Sequence, residues 1–504
     1  MLLLGIDIGT SSVKVSVVDA ATQRCLSSAS YPETEAEIIS HQAGWAEQSP
    51  DQWWKYVQQA ILKCHAQGKY SAADIGSIGI AYQMHGLVLV DRDGNVLRDA
   101  IIWCDSRAVE IGNQAFEAIG SERCLEHLLN SPGNFTASKL AWVKQQEPAV
   151  YEKIHQVLLP GDFIAMKLTG TCTTTVSALS EGIFWDFKAE KISSDVLQYF
   201  GFDRSLFPAI QPVFSSHGTI TNQVAEQLQL PKGIPVSYKA GDQPNNALAL
   251  QVMQPGEVAT TAGTSGVIYG INDTLAYDQQ SRINSFAHVN HTHEQNRIGV
   301  LLCINGTGIF NRWLKNISGA QFNYATMNEL ASSVAIGAEG LYALPFGNGA
   351  ERILNNQIIG GQFTGLNFNL HGTAHLVRSV QEGIAFAMRY GFDIIRENGM
   401  NPSVVRAGKA NLFLSDVFTQ AFASVNNVAV EFYEGDGSIG AALGAGIGAG
   451  VYSNPNEAFS ERKSISITEP LHAAVYDERY YGWREQLELQ LQQFNSDNPT
   501  ITKK

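Results

Sequence analysis

Cysteine is scarce in this sequence, and no two cysteines form a Cys-x-x-Cys pair. The six cysteines are scattered through 504 residues, at Cys25, Cys64, Cys104, Cys124, Cys172 and Cys303. Such spacing favours neither a disulfide framework nor a structural zinc site. We therefore interpret these residues as buried thiols of a cytosolic protein.

Positive charge is also in short supply, since 34 Lys and Arg residues face 48 Asp and Glu residues and leave a formal net charge of −14. An acidic surface repels phosphate backbones and anionic membranes. The N-terminus lacks the basic region of a signal peptide, and the least charged stretch, residues 437–451, is too short to span a bilayer. We expect a cytoplasmic protein without nucleic-acid or membrane partners.

Length and residue patterning favour two α/β domains. Single domains usually stop near ~250–300 residues, and this chain has 504. Strand-like and helical segments alternate along it, which is typical of α/β layers. Residues 2–8 and 13–18 predict a hairpin, and Ser49, Pro50 and Gln52 predict a helix that starts with a capping box.

A short motif occurs once in each half of the chain. Gly9-Thr10-Ser11-Ser12 is echoed by Gly263-Thr264-Ser265-Gly266, 254 positions later, and each copy lies between β-rich segments. One interpretation is two ordinary hairpins with good turn residues. The other is two related domains whose turns present N–H and hydroxyl groups to an anion in a shared cleft. We place the domain boundary near residues 245–255.

Two aspartates, Asp7 and Asp242, lie at positions that suggest a specific role for the carboxylate. Asp7 interrupts an apolar strand, which is costly for a charge without a partner. It either holds Mg²⁺ beside phosphates bound by the following turn or caps that turn, and Lys14 on the returning strand either contacts phosphate or faces solvent. Asp242 follows the strand-like residues 234–240 and precedes a helix, so it either faces the cleft as a base or caps the helix.

Two further segments end apolar runs with polar side chains. His85 in Gln-Met-His-Gly either binds a substrate oxygen or is a satisfied polar residue. The segment from Trp103 to Arg107 either forms a wall and an ion pair near the same pocket, or Asp105 and Arg107 form only a local salt link that contributes little.

Other motifs suggest sites that their context does not support. His288, His291 and His293 lie in a polar connection without helical spacing, so no metal site is expected there. Residues 435–440 match the dinucleotide fingerprint GxGxxG, but no strand ending in an acid follows about 20 residues later. The Walker pattern is absent from the sequence as well, so a bound nucleotide needs another kind of site.

Taken together, these motifs resemble the FGGY family of carbohydrate kinases. The resemblance extends to about residue 450 and is carried by GIDIGTSSVKVSVVD at 5–19, GWAEQSPDQWW at 44–54, QMHG at 83–86, IIWCDSR at 101–107, AGDQPNNA at 240–247, AGTSG at 262–266 and GSIGAALGA at 437–445. It implies two ribonuclease-H-like domains of the actin and sugar-kinase superfamily, with the active site in the cleft between them. The implied domains are 1–248, for sugar and phosphate, and 249–504, for nucleotide, with a helical extension at 455–504.

The resemblance also implies roles for individual residues. Asp242 matches the catalytic base, and Asp7 with Asp242 would hold Mg²⁺. The residues implied to contact the sugar are Met84, His85, Trp103, Asp105, Asp242 and Gln243. Those implied to contact ATP are Thr10, Ser11, Ser12, Lys14, Gly263, Thr264, Ser265, Gly408 and Asn411. The Gly- and Ala-rich helix at 435–450 is expected to close the second domain near the nucleotide.

Within this family the Met-His pair is most similar to that of xylulokinases. The expected reaction is phosphorylation of D-xylulose by ATP. Gln243 and Cys104 depart from the Asn that is common at each place, which leaves L-ribulose, gluconate and L-fuculose as alternative substrates. An actin-like ATPase without a sugar substrate and a dehydrogenase are alternatives from other classes. A homodimer stays open.

Overall fold

The computed structural model describes residues 1–319 and 322–498. Residues 499–504, the end of the extension expected at 455–504, lie outside this range. No helix in the described part of the chain has the length and apolar character that crossing a membrane requires.

The first half of the chain folds into a five-stranded sheet with surrounding helices and short strand pairs. Its strands are β1 Leu2–Ile8, β2 Val13–Asp19, β3 Cys25–Tyr31, β4 Glu47–Gln48, β5 Ile75–Tyr82, β6 Val88–Val90, β7 Ala100–Ile101, β8 Gln156–Leu158, β9 Thr173–Thr174, β10 Trp185–Asp186, β11 Lys191–Ile192, β12 Ala209–Ile210 and β13 Val236–Gly241. Its helices are α1 Pro50–Ala66, α2 Val109–Ile119, α3 Ser121–Leu128, α4 Thr136–Gln146, α5 Pro148–Tyr151, α6 Pro160–Thr169, α7 Val176–Glu181, α8 Ser194–Phe200, α9 Asn222–Gln227 and α10 Asp242–Ala249.

The second half contains a seven-stranded sheet. Its strands are β14 Glu257–Ala262, β15 Gly266–Asn272, β16 Asn284–Ala287, β17 Ile298–Ile304, β18 Tyr342–Leu344, β19 Gln362–Thr364, β20 Val404–Gly408, β21 Val430–Tyr433 and β22 Ser466–Thr468. Its helices are α11 Gly308–Ile317, α12 Tyr324–Ser332, α13 Thr373–Glu397, α14 Asp416–Asn426, α15 Gly437–Gly448, α16 Pro455–Ala458 and α17 Ala473–Asp497.

The two sheets share one arrangement of five strands. In the first sheet the order is β13-β5-β1-β2-β3, with β1, β2 and β3 antiparallel and β1, β5 and β13 parallel. In the second sheet β21-β20-β14-β15-β17 repeats this order and these directions. Each Gly-Thr-Ser turn joins the central antiparallel pair of its sheet. The expected α/β fold with two related halves is confirmed.

Helix α15 packs against the sheet of the other half. It follows β21 of the second sheet but lies against β1, β5 and β13 of the first. A Cβ on Gly5 or Gly79 would overlap a helix carbonyl oxygen, that of Ser438 or Ala441, so glycine in both strands permits this close approach. The expectation that this helix closes the second domain is therefore wrong, and its glycines serve packing between the halves.

Two helix predictions have mixed outcomes. Helix α1 begins at Pro50 as expected, but the Ser49 side chain makes no capping hydrogen bond, so the predicted capping box does not form. Helix α17 covers the helical stretch expected near the C-terminus and packs on the second half. Its buried Trp483 donates from Nε1 to the carbonyl oxygen of Ala343 at 2.8 Å.

Candidate active site

Asp242 lies at the carboxyl end of β13, where the chain turns into α10. The N-cap of this helix is Gly241, and Asp242 is its first residue. Asp242 therefore does not cap the helix, and it forms no ion pair among the described residues. Burial, followed by the negative charge of Asp7, raises the pKa of Asp242 to about 7. Such a carboxyl group changes protonation near neutral pH, which suits a general base.

Asp7 occupies the corresponding end of β1. It pairs in register with Lys14 on β2 and Ala81 on β5. Its carboxylate lies so close to Gly437 at the start of α15 that a Cβ there would overlap it. Burial, with the charge of Asp436 as a second cause, raises the pKa of Asp7 to about 6, while Lys14 opposes the shift.

The two carboxylates fit a magnesium ion that arrives with phosphates. No group of three or more His, Cys, Asp or Glu side chains in the described residues forms a complete metal cage. Mg²⁺ is usually bound by one or two carboxylates, with water and substrate phosphates as its remaining ligands. Burial and neighbouring negative charge raise the pKa of both Asp7 and Asp242, and such a site favours the binding of a cation.

A cavity of about 510 Å³ lies beside Asp242 and is lined by both halves of the chain. From the first half it is lined by Thr10, Met84, His85, Trp103, Asn134, Phe135, Asp242 and Gln243. The structure thus brings together the predicted sugar contacts, apart from Asp105, and also Thr10. We call this space the first cavity.

Hydrogen bonds tie the first Gly-Thr-Ser turn to the wall of the first cavity. The Thr10 hydroxyl accepts from Trp103 Nε1 at 2.9 Å and donates to Gln83 Oε1 at 3.4 Å. Gln83 donates in turn to Gln48, whose amide donates to the Thr10 carbonyl oxygen at 2.8 Å. Trp103 is 53% exposed, so an anchored but accessible indole forms part of this wall.

His85 is held as a neutral ring in the first cavity. Its backbone has φ of 62°, and its Nδ1 lies 2.9 Å from the carbonyl oxygen of Glu181. Burial, followed by the charge of Lys139, lowers the pKa of His85 to about 3. Because the neutral ring must donate from Nδ1 to that carbonyl, Nε2 is left as a hydrogen-bond acceptor.

Lys139 on α4 connects two segments of the cavity wall, and sequence reasoning missed it. Its Nζ donates to the carbonyl oxygens of His85 and Ile102, each at 2.9 Å, and the residue is fully buried. Burial lowers the pKa of Lys139 to about 7. The available signal was the position of Lys139 among the apolar residues of α4, where its side chain would be buried. Lysine is almost never fully buried unless its charge has partners.

Asp105, an expected sugar contact, does not lie in the wall of the first cavity. Asp105 is fully buried and outside the cavity lining. Its carboxylate accepts from the Ala46 backbone at 2.6 Å and from the Arg107 guanidinium at 2.7 Å. Arg107 in turn stacks 3.8 Å from the ring centroid of Trp45. Asp105 thus holds the loop after Trp103 in place, and the pair is a buried ion pair, not an exposed local link.

The second Gly-Thr-Ser turn lies between two cavities. Ser265 lines the first cavity, whereas Gly263 and Thr264 line a second cavity of about 320 Å³. Asn411 and Arg312 also line this second cavity. Its volume is within the range of ligand pockets, and its side-chain amides and its arginine suit a nucleotide. The first residues of α11 donate backbone hydrogen bonds to the turn, including one from Gly308 to Gly263 at 2.9 Å.

Several predicted ATP contacts line neither cavity. The Ser11 carbonyl accepts from the Ala36 backbone at 2.7 Å. Lys14 forms an ion pair with Asp436. Gly408, the last residue of β20, lies next to Gly435, which follows β21. Ser12 closes its own turn by accepting from the Gly9 backbone at 3.0 Å. Direct phosphate contacts of Ser11, Ser12, Lys14 and Gly408 therefore stay predictions.

The three histidines that suggested a metal site in the sequence have other surroundings. His288 is fully buried, and its Nδ1 lies 3.0 Å from the Tyr269 hydroxyl. His291 Nδ1 accepts from the Arg297 backbone at 3.2 Å, and His293 pairs with Glu190. Each of the three rings thus has a partner of its own: Tyr269 for His288, Arg297 for His291 and Glu190 for His293.

Comparison with known proteins identifies both halves. Residues 2–249 match the N-terminal domain of the FGGY family of carbohydrate kinases, and residues 258–451 match its C-terminal domain. Xylulose kinase of Escherichia coli (strain K12) is 30% identical over 474 residues, 91% of this chain and 92% of that protein. Xylulose kinase of Klebsiella pneumoniae is 27% identical over 88% of each chain.

Solved structures share the whole fold. The crystal structure of xylulose kinase from Rhodospirillum rubrum matches with a TM-score of 0.87 and 26% identity, and the match covers 98% of this chain and 100% of that one. The family resemblance of the sequence, the two matched domains and this shared fold agree. The chain belongs to the FGGY family of carbohydrate kinases.

Proposed function

We propose that this kinase transfers the terminal phosphoryl group of ATP to the terminal hydroxyl of D-xylulose. The observation that carries the proposal is the position of Asp242, a carboxyl group with its pKa raised to about 7 that lines a cavity shared by both halves. The relatives named xylulose kinase support the choice of sugar. The rich polar lining, with His85, Asn134 and Gln243, supports a polyhydroxylated substrate.

In the proposed mechanism Asp242 accepts the proton of the attacking hydroxyl. Positioning comes first: His85 Nε2 accepts from a sugar hydroxyl, while Met84 and Trp103 form the apolar sides. Asp7 and Asp242 would hold Mg²⁺ together with ATP, and the ion would supply positive charge that neutralises the phosphates. Thr264 and Gly263 contact the nucleotide from the second cavity. Because phosphoryl transfer depends mainly on positioning and electrostatics, this chain needs no covalent intermediate.

The division of labour between residues 1–248 and 249–504 belongs to the same proposal. The matched domains at 2–249 and 258–451 support the boundary. The second cavity takes its lining from residues 262–415 alone, which supports nucleotide binding by the second half. The first cavity takes lining from both ranges, so we extend the proposed sugar site to include residues beyond 249.

The proposed setting is the cytoplasm. All six cysteines are free thiols in the structure, which supports a reducing compartment. Cys25 and Cys104 are exposed, so the expectation that all six are buried is wrong. A homodimer and the lack of nucleic-acid partners are further proposals from the sequence, to be tested by sedimentation and by binding assays.

A coupled assay of ADP release tests the proposed reaction. The purified protein is given ATP and Mg²⁺ with D-xylulose, L-ribulose, D-gluconate, L-fuculose or glycerol, and kcat/KM is measured for each. We expect D-xylulose to give the highest value. A higher value for another sugar would replace the substrate, and ADP release that no sugar stimulates would replace the kinase by an ATPase.

A further inference from the structure

The first cavity receives one charge from each half of the chain. Among its lining residues Asp242 supplies a carboxylate and Arg352 supplies a guanidinium. Its other titratable groups are neutral, since burial lowers the pKa of His85 to about 3 and raises the pKa of the Cys303 thiol to about 11. A ligand in this cavity therefore meets an acceptor for a proton and, from the second half, a permanent cation.

Arg352 is not neutralised by a nearby acid. The adjacent carboxylate of Glu351 is turned away and accepts from the backbone of Asn305 and Gly306, each at 3.0 Å. Across residues 1–319 and 322–498, Arg352 takes part in no ion pair. Its Nη1 donates to Oδ1 of Asn284, which fixes the side chain and leaves other N–H donors without a protein acceptor.

A half-buried guanidinium without an acidic partner is costly unless a ligand supplies acceptor oxygens. Carbonyl and carboxylate oxygens suit it best, because their lone pairs lie in one plane and match the planar fork of N–H donors. Hydroxyl oxygens are weaker partners that carry less negative charge. The charges of the cavity thus complement a substrate that offers a hydroxyl to Asp242 and a carbonyl-type oxygen to Arg352.

We propose that Arg352 is a specificity-determining residue that binds the carbonyl or carboxylate oxygen of the sugar, so that the enzyme selects ketoses and sugar acids over polyols. This inference rests on the proposed function and names the feature of the substrate that the site recognises. It also gives the second half of the chain a direct contact with the sugar.

The test compares D-xylulose with xylitol, the polyol that has a hydroxyl in place of the ketone. Wild type, Arg352→Met and Arg352→Lys are assayed for kcat/KM with each compound, for KM of ATP and for melting temperature. We expect Arg352→Met to lower kcat/KM for D-xylulose by ~10–100-fold, the usual cost of losing a charged hydrogen bond to substrate. Xylitol should change little, and Arg352→Lys should restore part of the preference.

Arg312→Met is the matched control, because Arg312 lines the second cavity. It should raise the KM for ATP and leave the ratio of kcat/KM for D-xylulose to kcat/KM for xylitol as in the wild type. The proposal is overturned if a stably folded Arg352→Met variant keeps the wild-type ratio of the two kcat/KM values. This holds whether both values fall equally or neither falls.

Calorimetry separates this proposal from the proposed reaction. Binding of D-xylulose in preference to xylitol that disappears in Arg352→Met supports the role of Arg352 even if D-xylulose is not phosphorylated. A lack of phosphorylation of D-xylulose would reject only D-xylulose as the substrate of the reaction.

Discussion

Asp242 and Asp436 occupy equivalent places in the two halves and have opposite surroundings. Asp242 follows Gly241, the last residue of β13, and is the first residue of α10. Asp436 follows Gly435, shortly after β21, and is the N-cap of α15. Asp436 caps α15 by accepting from the Ser438 backbone at 3.0 Å and pairs with Lys14. Asp242 has neither partner, and its pKa is raised.

This difference shows that one local pattern gives a carboxylate its partners in one half and in the other leaves it beside a cavity, without an ion pair in the part of the chain that the structure describes. In the second half the carboxylate of Asp436 pairs with Lys14 and accepts a hydrogen bond from the N-terminus of α15. In the first half the same position faces the first cavity and the charge of Asp7.

The largest expected effect is the loss of turnover in Asp242→Asn. Asn keeps the size of the side chain but accepts no proton, so kcat should fall by ~10²–10⁴-fold with sugar and ATP affinities within about tenfold. Asp436→Asn is the matched control, because Asn also caps helices well. It should keep kcat within about tenfold of the wild type. Comparable turnover in both variants would remove Asp242 as the base.

The next effect concerns the first cavity alone. His85→Ala removes the acceptor Nε2, and we expect the KM for the sugar to rise by about 10-fold or more. The KM for ATP should change little, because His85 does not line the second cavity. Steady-state kinetics with each substrate varied in turn, together with the melting temperature, checks this. An unaltered sugar KM would make His85 a structural residue.

Thr264→Val tests the second cavity in the same way, with a smaller effect. Loss of one neutral hydroxyl costs about 1 kcal/mol, or roughly fivefold in affinity. We expect calorimetry to show this loss for ADP, with sugar binding unchanged. Thr10→Val is the matched change in the first turn, and should instead loosen Trp103, whose Nε1 donates to the Thr10 hydroxyl. A selective loss of sugar binding in Thr264→Val would contradict the assignment of the second turn.

The smallest expected effect is a change in stability with pH. The pKa of Asp242 is about 7 in the folded protein and 3.8 without the fold, so between these values the folded state binds the extra proton. Stability of the ligand-free protein should therefore fall as pH rises through this window. Asp242→Asn removes this loss, so its melting temperature should exceed that of the wild type by a few degrees at pH 8. The two should nearly coincide at pH 3, below both pKa values. Asp436→Asn breaks the ion pair with Lys14, so it should not raise the melting temperature.

Local patterns predicted much of the fold and part of the site. The Gly-Thr-Ser turns, the strand before Asp242 and the start of α1 depend on neighbours in the chain, and the structure has them where the sequence places them. By contrast, the sequence left two roles open for Asp7 and two for Asp242. A carboxylate that follows a strand can cap a turn or helix or face a cleft, and the local sequence is nearly the same in each case.

What the sequence by itself determined is the pair of related α/β halves and their turns, since hydrophobic period and turn residues act over a few positions. Only the tertiary structure decided that Asp105 is buried against Arg107, that α15 packs on the opposite sheet and that Arg352 lines the first cavity. These outcomes depend on residues brought together from distant parts of the chain. Burial and charge, which set pKa values and binding, arise only when that assembly is complete.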